Sequence, residues 1–138
     1  MPTPYLMFNG RCEEALNFYK NALGAEIGMM MRFKENPDAE KAEAAGCMPG
    51  DMNKIMHSAF QLKGSTVMAS DGMAQGQPKF QGFSLSVEAK DEPEAERFFN
   101  ALAEGGKVEV PLTETFFAKC FGMVADKFGV SWMVIVSL

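Results

Sequence analysis

One pattern, met twice, limits what this chain can become. The stretch "RCEEALNFYKNALG" (11–24) carries Ala15, Leu16, Phe18, Tyr19, Ala22 and Leu23 at the spacing of one helical face. Eighty residues later, Ala95, Phe98, Phe99 and Leu102 of "DEPEAERFFNALAEGG" (91–106) repeat the positions of Ala15, Phe18, Tyr19 and Ala22. A short strand precedes each helix, "TPYLMFNG" (3–10) and "FSLSVEA" (83–89), with Tyr5 and Leu85 at the same offset. Three strand-like segments follow each: "AEIGMMMRF", "KIMHSAFQLKG" and "STVMASD" in the first half, then "KVEVPLTETFF", "KCFGMVADKFG" and "VSWMVIVSL" in the second. Across the hairpins the offset is 65, relating Lys54, Gly64 and Met68 to Lys119, Gly129 and Met133. The order β-α-β-β-β, used twice, implies two helix-plus-hairpin modules.

Local signals agree with those boundaries. Gly24 stands where the first helix must end, and Gly105–Gly106 where the second must. Asp91 and Glu94 have capping-box spacing at the second helix's start. The first hairpin is expected to turn at Gly64–Ser65. The modules are expected at about 3–72 and 82–138 within one domain, 1–138, whose length suffices for one buried core. An exposed loop is expected at about 34–53, a candidate lid, and the Gly- and Gln-rich "GMAQGQPKFQG" (72–82) reads as the seam between modules.

Charge and cysteine usage remove several function classes. Net charge is -5 with 13 basic residues spread along the chain, which argues against nucleic acid, since phosphate binding needs clustered Lys and Arg. The same acidity would suit a cationic ligand if carboxylates lined a cleft. Cys12, Cys47 and Cys120 form an odd set without a CxxC pair, so neither a disulfide framework nor a zinc ribbon is indicated, and reduced thiols in the cytoplasm are expected. "MPTPYLMFNG" has no signal-peptide pattern, and no apolar run is long enough for a membrane span, so no membrane partner is expected.

The paired modules resemble the vicinal oxygen chelate superfamily of glyoxalase I, bleomycin-resistance proteins and extradiol dioxygenases. More closely, "PYLMFNGRCEEALNFYKNALGAE" and "KIMHSAFQLKGSTVMASD", with "FGVSWMV" near the end, are similar to the PhnB-like branch, a group sometimes labelled 3-demethylubiquinone-9 3-methyltransferase. The resemblance spans essentially the whole chain. It implies an α+β fold in which two paired βαβββ modules form a cup-shaped, curved mixed sheet with the helices outside, the glyoxalase/bleomycin resistance/dioxygenase fold. The methyltransferase label meets no support in the residues. A nucleotide-type methyl donor needs a glycine-rich turn from strand to helix, whereas "LGAEIG" (23–28) runs from helix to strand.

In metal-dependent members of that superfamily each module lends one ligand from its first strand and one from its last. Those positions fall here near Pro4, Met68, Gly82 or Ser84, and Met133, none with a carboxylate or imidazole. A thioether is a poor partner for a hard or borderline ion, so no metal and no cofactor are expected.

His57, the only histidine, is the candidate catalytic residue. Strand alternation puts Met56, Ser58, Phe60 and Leu62 on one face and Ile55, His57, Ala59 and Gln61 on the other, the cavity side if helices cover the first. There it would act as a general acid/base, orient a ligand, or simply bond a neighbouring group. Ser70 and Asp71 end the adjacent strand and invite a nucleophile–base–orienter set with His57; strand ends also carry Ser and Asp for turn reasons. Glu13 and Glu14 suit a helix's first turn, and Cys12 suits packing. Twelve Met and twelve Phe supply soft side chains for a core or for an apolar cavity. His57, Gln61, Met68, Ser70, Ser84, Met133 and Trp132 are the expected cavity residues.

Three functions follow from this reading. The first is a PhnB-like binding protein that takes a small organic molecule in a metal-free cavity, as a homodimer that covers the apolar "WMVIV" strand. The second is a metal-dependent or His57-assisted lyase, isomerase or dioxygenase-type enzyme. The third, a structural or regulatory partner, requires no cavity of ligand size.

Overall fold

The computed structural model describes residues 2–35, 52–72 and 79–138. The chain divides into two compact units, Met1–Pro78 and Lys79–Leu138. The first holds β1 (Tyr5–Met7), α1 (Cys12–Leu23), β2 (Glu26–Arg32), a 3-10 turn at Phe33–Glu35, β3 (Ile55–Leu62) and β4 (Ser65–Ser70). The second holds β5 (Leu85–Glu88), α2 (Glu92–Ala103), β6 (Lys107–Thr113), β7 (Ala118–Ala125) and β8 (Ser131–Ser137). The sheets share one topology, β1-β4-β3-β2 and β5-β8-β7-β6, each with one parallel pair at its edge, β1 with β4 and β5 with β8. Most of the expected 34–53 loop and much of the 72–82 seam lie outside the described residues, as does Cys47.

In each unit the helix covers one face of its own sheet. Under α1 lie Leu6, Ser58, Phe60, Val67 and Ala69, met by Ala15, Leu16 and Tyr19; the Tyr19 and Phe60 rings sit 5.8 Å apart. Burying each such side chain contributes roughly 1.5–3 kcal/mol, so this face holds the unit together. Under α2 lie Trp132, Val134, Val136, Gly122 and Val124, met by Phe98, Phe99 and Leu102. Gly122 is required there, because a Cβ on it would stand 2.8 Å from Phe99 Cε2 and 3.1 Å from the Leu112 amide nitrogen.

Two buried aspartates brace the units in different places. Asp71, 1% exposed, accepts from the backbone N–H of Gly10 and Cys12 through Oδ1 and of Ile55 through Oδ2, each at 2.8 Å. It thereby caps α1 from a distance, which matters because the N-cap residue Arg11 makes no capping bond of its own. In the second unit Asp91 caps α2 directly, accepting from Glu94 N, while Glu94 accepts from Lys90 N rather than closing the box on Asp91. Asp126 instead braces the β7–β8 turn, taking Phe128 N and Val130 N on Oδ1 and Trp132 Nε1 on Oδ2.

The repeat is real and slightly shifted from the sequence alignment. Leu6 pairs with Ala69 and Val87 with Val134, so the first strands correspond at 81 residues, and Tyr5 matches Ser86 rather than Leu85. Met68, opposite Tyr5, matches Met133, opposite Ser86. Ser58 pairs with Ala69 and Gly122 with Val134, so β3 and β7 correspond at 64, because the second hairpin holds one more residue. Phe121 is therefore the counterpart of His57, and Ala118 rather than Lys119 that of Lys54. The first hairpin turns at Lys63–Gly64, both at positive φ, one residue earlier than expected. A register shift between Met31 and Arg32 also breaks the alternation of β3: Ile55 is buried and Met56 half-buried.

Candidate functional site

The faces turned away from the helices carry the candidate site residues. In the first unit one row crosses all four strands, Tyr5–Met68–Ala59–Met29, and the next sets Met31 opposite His57. Opposed and alternate strand residues share a face, so these side chains lie together. The His57 imidazole is half-buried, its Nδ1 3.3 Å from the Tyr5 hydroxyl, with the two rings stacked at 5.8 Å and 26°. Tyr5 and Met7 are 41% and 55% exposed. Gln61, an expected cavity residue, is exposed on the same face and donates from Nε2 to Thr66 Oγ1 at 2.7 Å. His57, Gln61 and Met68 are thus brought onto one surface, with Tyr5, Met29 and Met31, which the sequence reading did not single out.

Ser70 and Asp71 do not join them as a catalytic set. Asp71 is saturated by three backbone donors, and Ser70, buried at the strand end, accepts Gly72 N on Oγ at 3.1 Å. The ring partner of His57 is Tyr5, not a carboxylate. Ser70 is therefore corrected from a cavity residue to a turn brace. Trp132 is corrected too: it is 1% exposed, on the α2 side of β8, with its indole N–H on Asp126. The signal was present, because Trp132 has the parity of Val134 and Val136.

In the second unit a concavity of about 750 Å³ opens on the face away from α2, lined by Phe80, Phe83, Ser84, Met123, Ser131 and Met133 among others. Ser84 and Met133, both expected cavity residues, are among those that line it. The Ser84 and Ser131 hydroxyls bond at 2.8 Å, and Phe80 and Phe83 meet edge to face at 6.4 Å. Lys107 and Glu109 also line it. Phe80 was hidden from the sequence reading by the Gly- and Gln-rich seam around it, and Phe83 by its place at the head of a strand segment. Farther along the same unit, Phe116, Phe117 and Phe121 form an edge-to-face ladder, and Phe116 is 93% exposed.

A smaller hollow, about 470 Å³, lies at the start of α1 between Glu13, Arg32, Lys54 and Asp71. Its charges are engaged within the unit. Arg32 holds Glu13 bidentately at 2.7 and 3.1 Å, and Lys54 Nζ donates to Gly10 O at 3.0 Å. The Arg32 hydrogen bonds hold the Glu13 carboxyl below the usual range. Cys12 is no nucleophile: burial pushes its thiol up to about 12, despite the Ser58 hydroxyl at 3.6 Å. Burial, with Glu92 and Glu96 behind it, raises the Cys120 thiol as well.

The register also revises the positions where a divalent ion would be held. The residue facing with Met68 is Tyr5, while Pro4 lends only its carbonyl to Met68 N at 2.9 Å. The residue facing with Met133 is Ser86 rather than Ser84. A phenol, a hydroxyl and two thioethers do not fit a hard or borderline divalent ion. Among the described residues no group of three or more His, Cys, Asp or Glu side chains is placed to hold a metal.

A family model described as 3-demethylubiquinone-9 3-methyltransferase matches residues 2–135. Protein YjdN of Escherichia coli (strain K12) is 39% identical over 137 residues, covering 97% of this chain and 93% of YjdN. The structure described as a putative 3-demethylubiquinone-9 3-methyltransferase, PhnB protein, from Bacillus cereus is 33% identical with a TM-score of 0.79, covering 99% of this chain and 98% of that one. Protein PA1353 from Pseudomonas aeruginosa is 41% identical with a TM-score of 0.83, covering 99% and 97%. A glyoxalase-related enzyme from Fulvimarina pelagi, 18% identical with a TM-score of 0.60 and coverage of 99% and 87%, carries the likeness of fold alone.

Proposed function

This chain belongs to the PhnB-like family described as 3-demethylubiquinone-9 3-methyltransferase, within the vicinal oxygen chelate superfamily, and from that premise we propose that it binds a small organic molecule against the open faces of its sheets. One observation carries the reading. Each open face combines adaptable thioethers and aromatic rings with a few polar groups: Tyr5, His57 and Gln61 among Met29, Met31 and Met68, and Ser84 and Ser131 among Phe80, Phe83 and Met133. Apolar walls supply affinity, and sparse hydrogen-bonding groups supply orientation. His57 and Tyr5 orient the ligand in this reading, and no divalent ion takes part.

The methyl transfer in the family description finds no counterpart in the glycines that might have held a donor. Gly24 caps α1 at φ 72°, and Gly28 lies within β2 against Ala59 O. We further take both modules as one 138-residue domain that works as a homodimer in the cytoplasm. The buried, unpaired thiols of Cys12 and Cys120 support a reducing compartment, and the exposed Phe116 and Phe117 support a second chain as cover. Among the described residues no helix is long and apolar enough to cross a membrane.

The test is a thermal-shift screen of small aromatic and aliphatic compounds, since a ligand that binds only the folded state raises its stability by mass action. Hits whose affinity falls at least about tenfold in His57→Ala would support the reading, because a lost hydrogen bond to a ligand is worth on that order. A screen without hits, or hits indifferent to both His57→Ala and Met133→Glu, would sink it. Sedimentation showing only monomer at micromolar concentration would remove the homodimer.

A further inference from the structure

The substitutions that take away a divalent-ion site leave behind a different donor set. His57 lies at its centre. Met31 is directly opposite it on β2, and Met29 and Met68 are diagonal to it, since both pair with Ala59, two residues along β3 on the same face. Directly opposed residues in a sheet have Cβ atoms about 4.5–5.5 Å apart and diagonal ones about 7–8 Å, distances that flexible methionine side chains span. His57, Met31 and Met68 are all half-buried, so a group held among them would be partly withdrawn from water, while Met29 stands exposed at the edge.

We propose that His57, Met31 and Met68, with Met29 in reach, form a site for a soft monovalent cation of the Cu(I) or Ag(I) kind. Thioethers select soft ions and imidazole accepts them, whereas hard and borderline ions require oxygen or more nitrogen donors. The Tyr5 hydroxyl supplies the outer support such a histidine uses: by accepting from Nδ1–H across the 3.3 Å contact it would hold the ring and leave Nε2 for the ion. Binding adds one positive charge to a chain of net charge -5. The proposal goes beyond organic-ligand binding and is independent of it, though both use the open face of the first unit.

The full chain, with its accessible thiols first alkylated by iodoacetamide so that cysteine sulfur does not take up metal, is titrated with silver nitrate in chloride-free buffer. NMR follows the single imidazole and the methionine methyl groups. The expected result is saturation at a single equivalent, with shifts at His57, Met31 and Met68. Affinity should fall at least about tenfold in Met31→Leu, in Met68→Leu and in Tyr5→Phe. Silver binding and organic-ligand binding are each read on the unaltered chain, with separate probes, which separates failure of this site from failure of the proposed function. Silver uptake without movement of the His57 signals, unchanged affinity in both leucine variants, or Zn(II) binding His57 as tightly as Ag(I) would each overturn the proposal. The leucine variants decide the matter even where His57→Ala does not fold.

Discussion

The two units share a topology and differ in what they do with it. At equivalent points of their sheets the first sets His57 beside Met31, and the second sets Phe121 as the inner end of an aromatic ladder through Phe117 to the exposed Phe116. Met68 and Met133 meanwhile stay at the same place in both. The helix-covered faces are alike in kind, because each must bury one side of a sheet that cannot fold uncovered. The open faces carry no such demand, so their chemistry has diverged. Function is therefore sought on those faces, and stability under the helices.

The largest effects should come from breaking the two aspartate braces. Asp71→Ala would orphan two buried backbone N–H groups, of Cys12 and Ile55, and the part-buried one of Gly10, each costing about 1–3 kcal/mol, and should lower unfolding free energy by roughly 3–5 kcal/mol in urea titration. A loss below about 1 kcal/mol would contradict its role as the remote cap of α1. Asp126→Ala should cost a similar amount, roughly 3–5 kcal/mol, because its three donors, Phe128 N, Val130 N and Trp132 Nε1, are all buried.

Next comes an exchange between units. Gly122→Ser installs the residue that its counterpart Ser58 already has, and should destabilise by about 1–3 kcal/mol because Phe99 must give way. Ser58→Gly in the first unit removes a hydroxyl bond to Ala69 O at 2.7 Å and should cost about 1–2 kcal/mol. Calorimetric melting of both would show how far the two positions differ; a neutral Gly122→Ser would contradict the close approach of Phe99 to Gly122.

The smallest effect belongs to the surface pair Glu13–Arg32. Half-exposed and screened by solvent, it should contribute about 0.2–1 kcal/mol at low salt, read as the difference between wild type and Glu13→Gln. The folded carboxyl lies below its unfolded value, so this contribution is present above the unfolded pKa and is lost as pH falls through the folded one. A gap that grows on acidification would contradict the assignment.

Much of the frame was legible before any coordinates. Helical spacing in 11–24 and 91–106, the capping aspartate Asp91 and the cap at Gly24 all express local chemistry, and local chemistry is written in neighbouring residues. Register was not. One additional residue in the β7–β8 hairpin shifts the correspondence between His57 and Phe121 without disturbing either strand's alternation, and the irregularity near Ile55 reverses its face. Asp71 looked like a strand-end turn residue because its three partners are 16 to 61 residues away. Gln61 was legible as an open-face residue by parity, whereas Met68 was singled out through the superfamily's ligand positions. The Tyr5–His57 contact, 52 residues apart in sequence, waited for the parallel pairing of β1 with β4.

The central claim, that ligands dock on the open faces, is tested most directly by the chain's own methionines. Twelve methyl groups can be observed at once by NMR of methyl-labelled methionine while a hit from the compound screen is added. The account predicts that the signals of Met31 and Met68, of Met123 and Met133, or of both pairs move and saturate. Saturable binding that leaves all four of those methyl groups unmoved would contradict it.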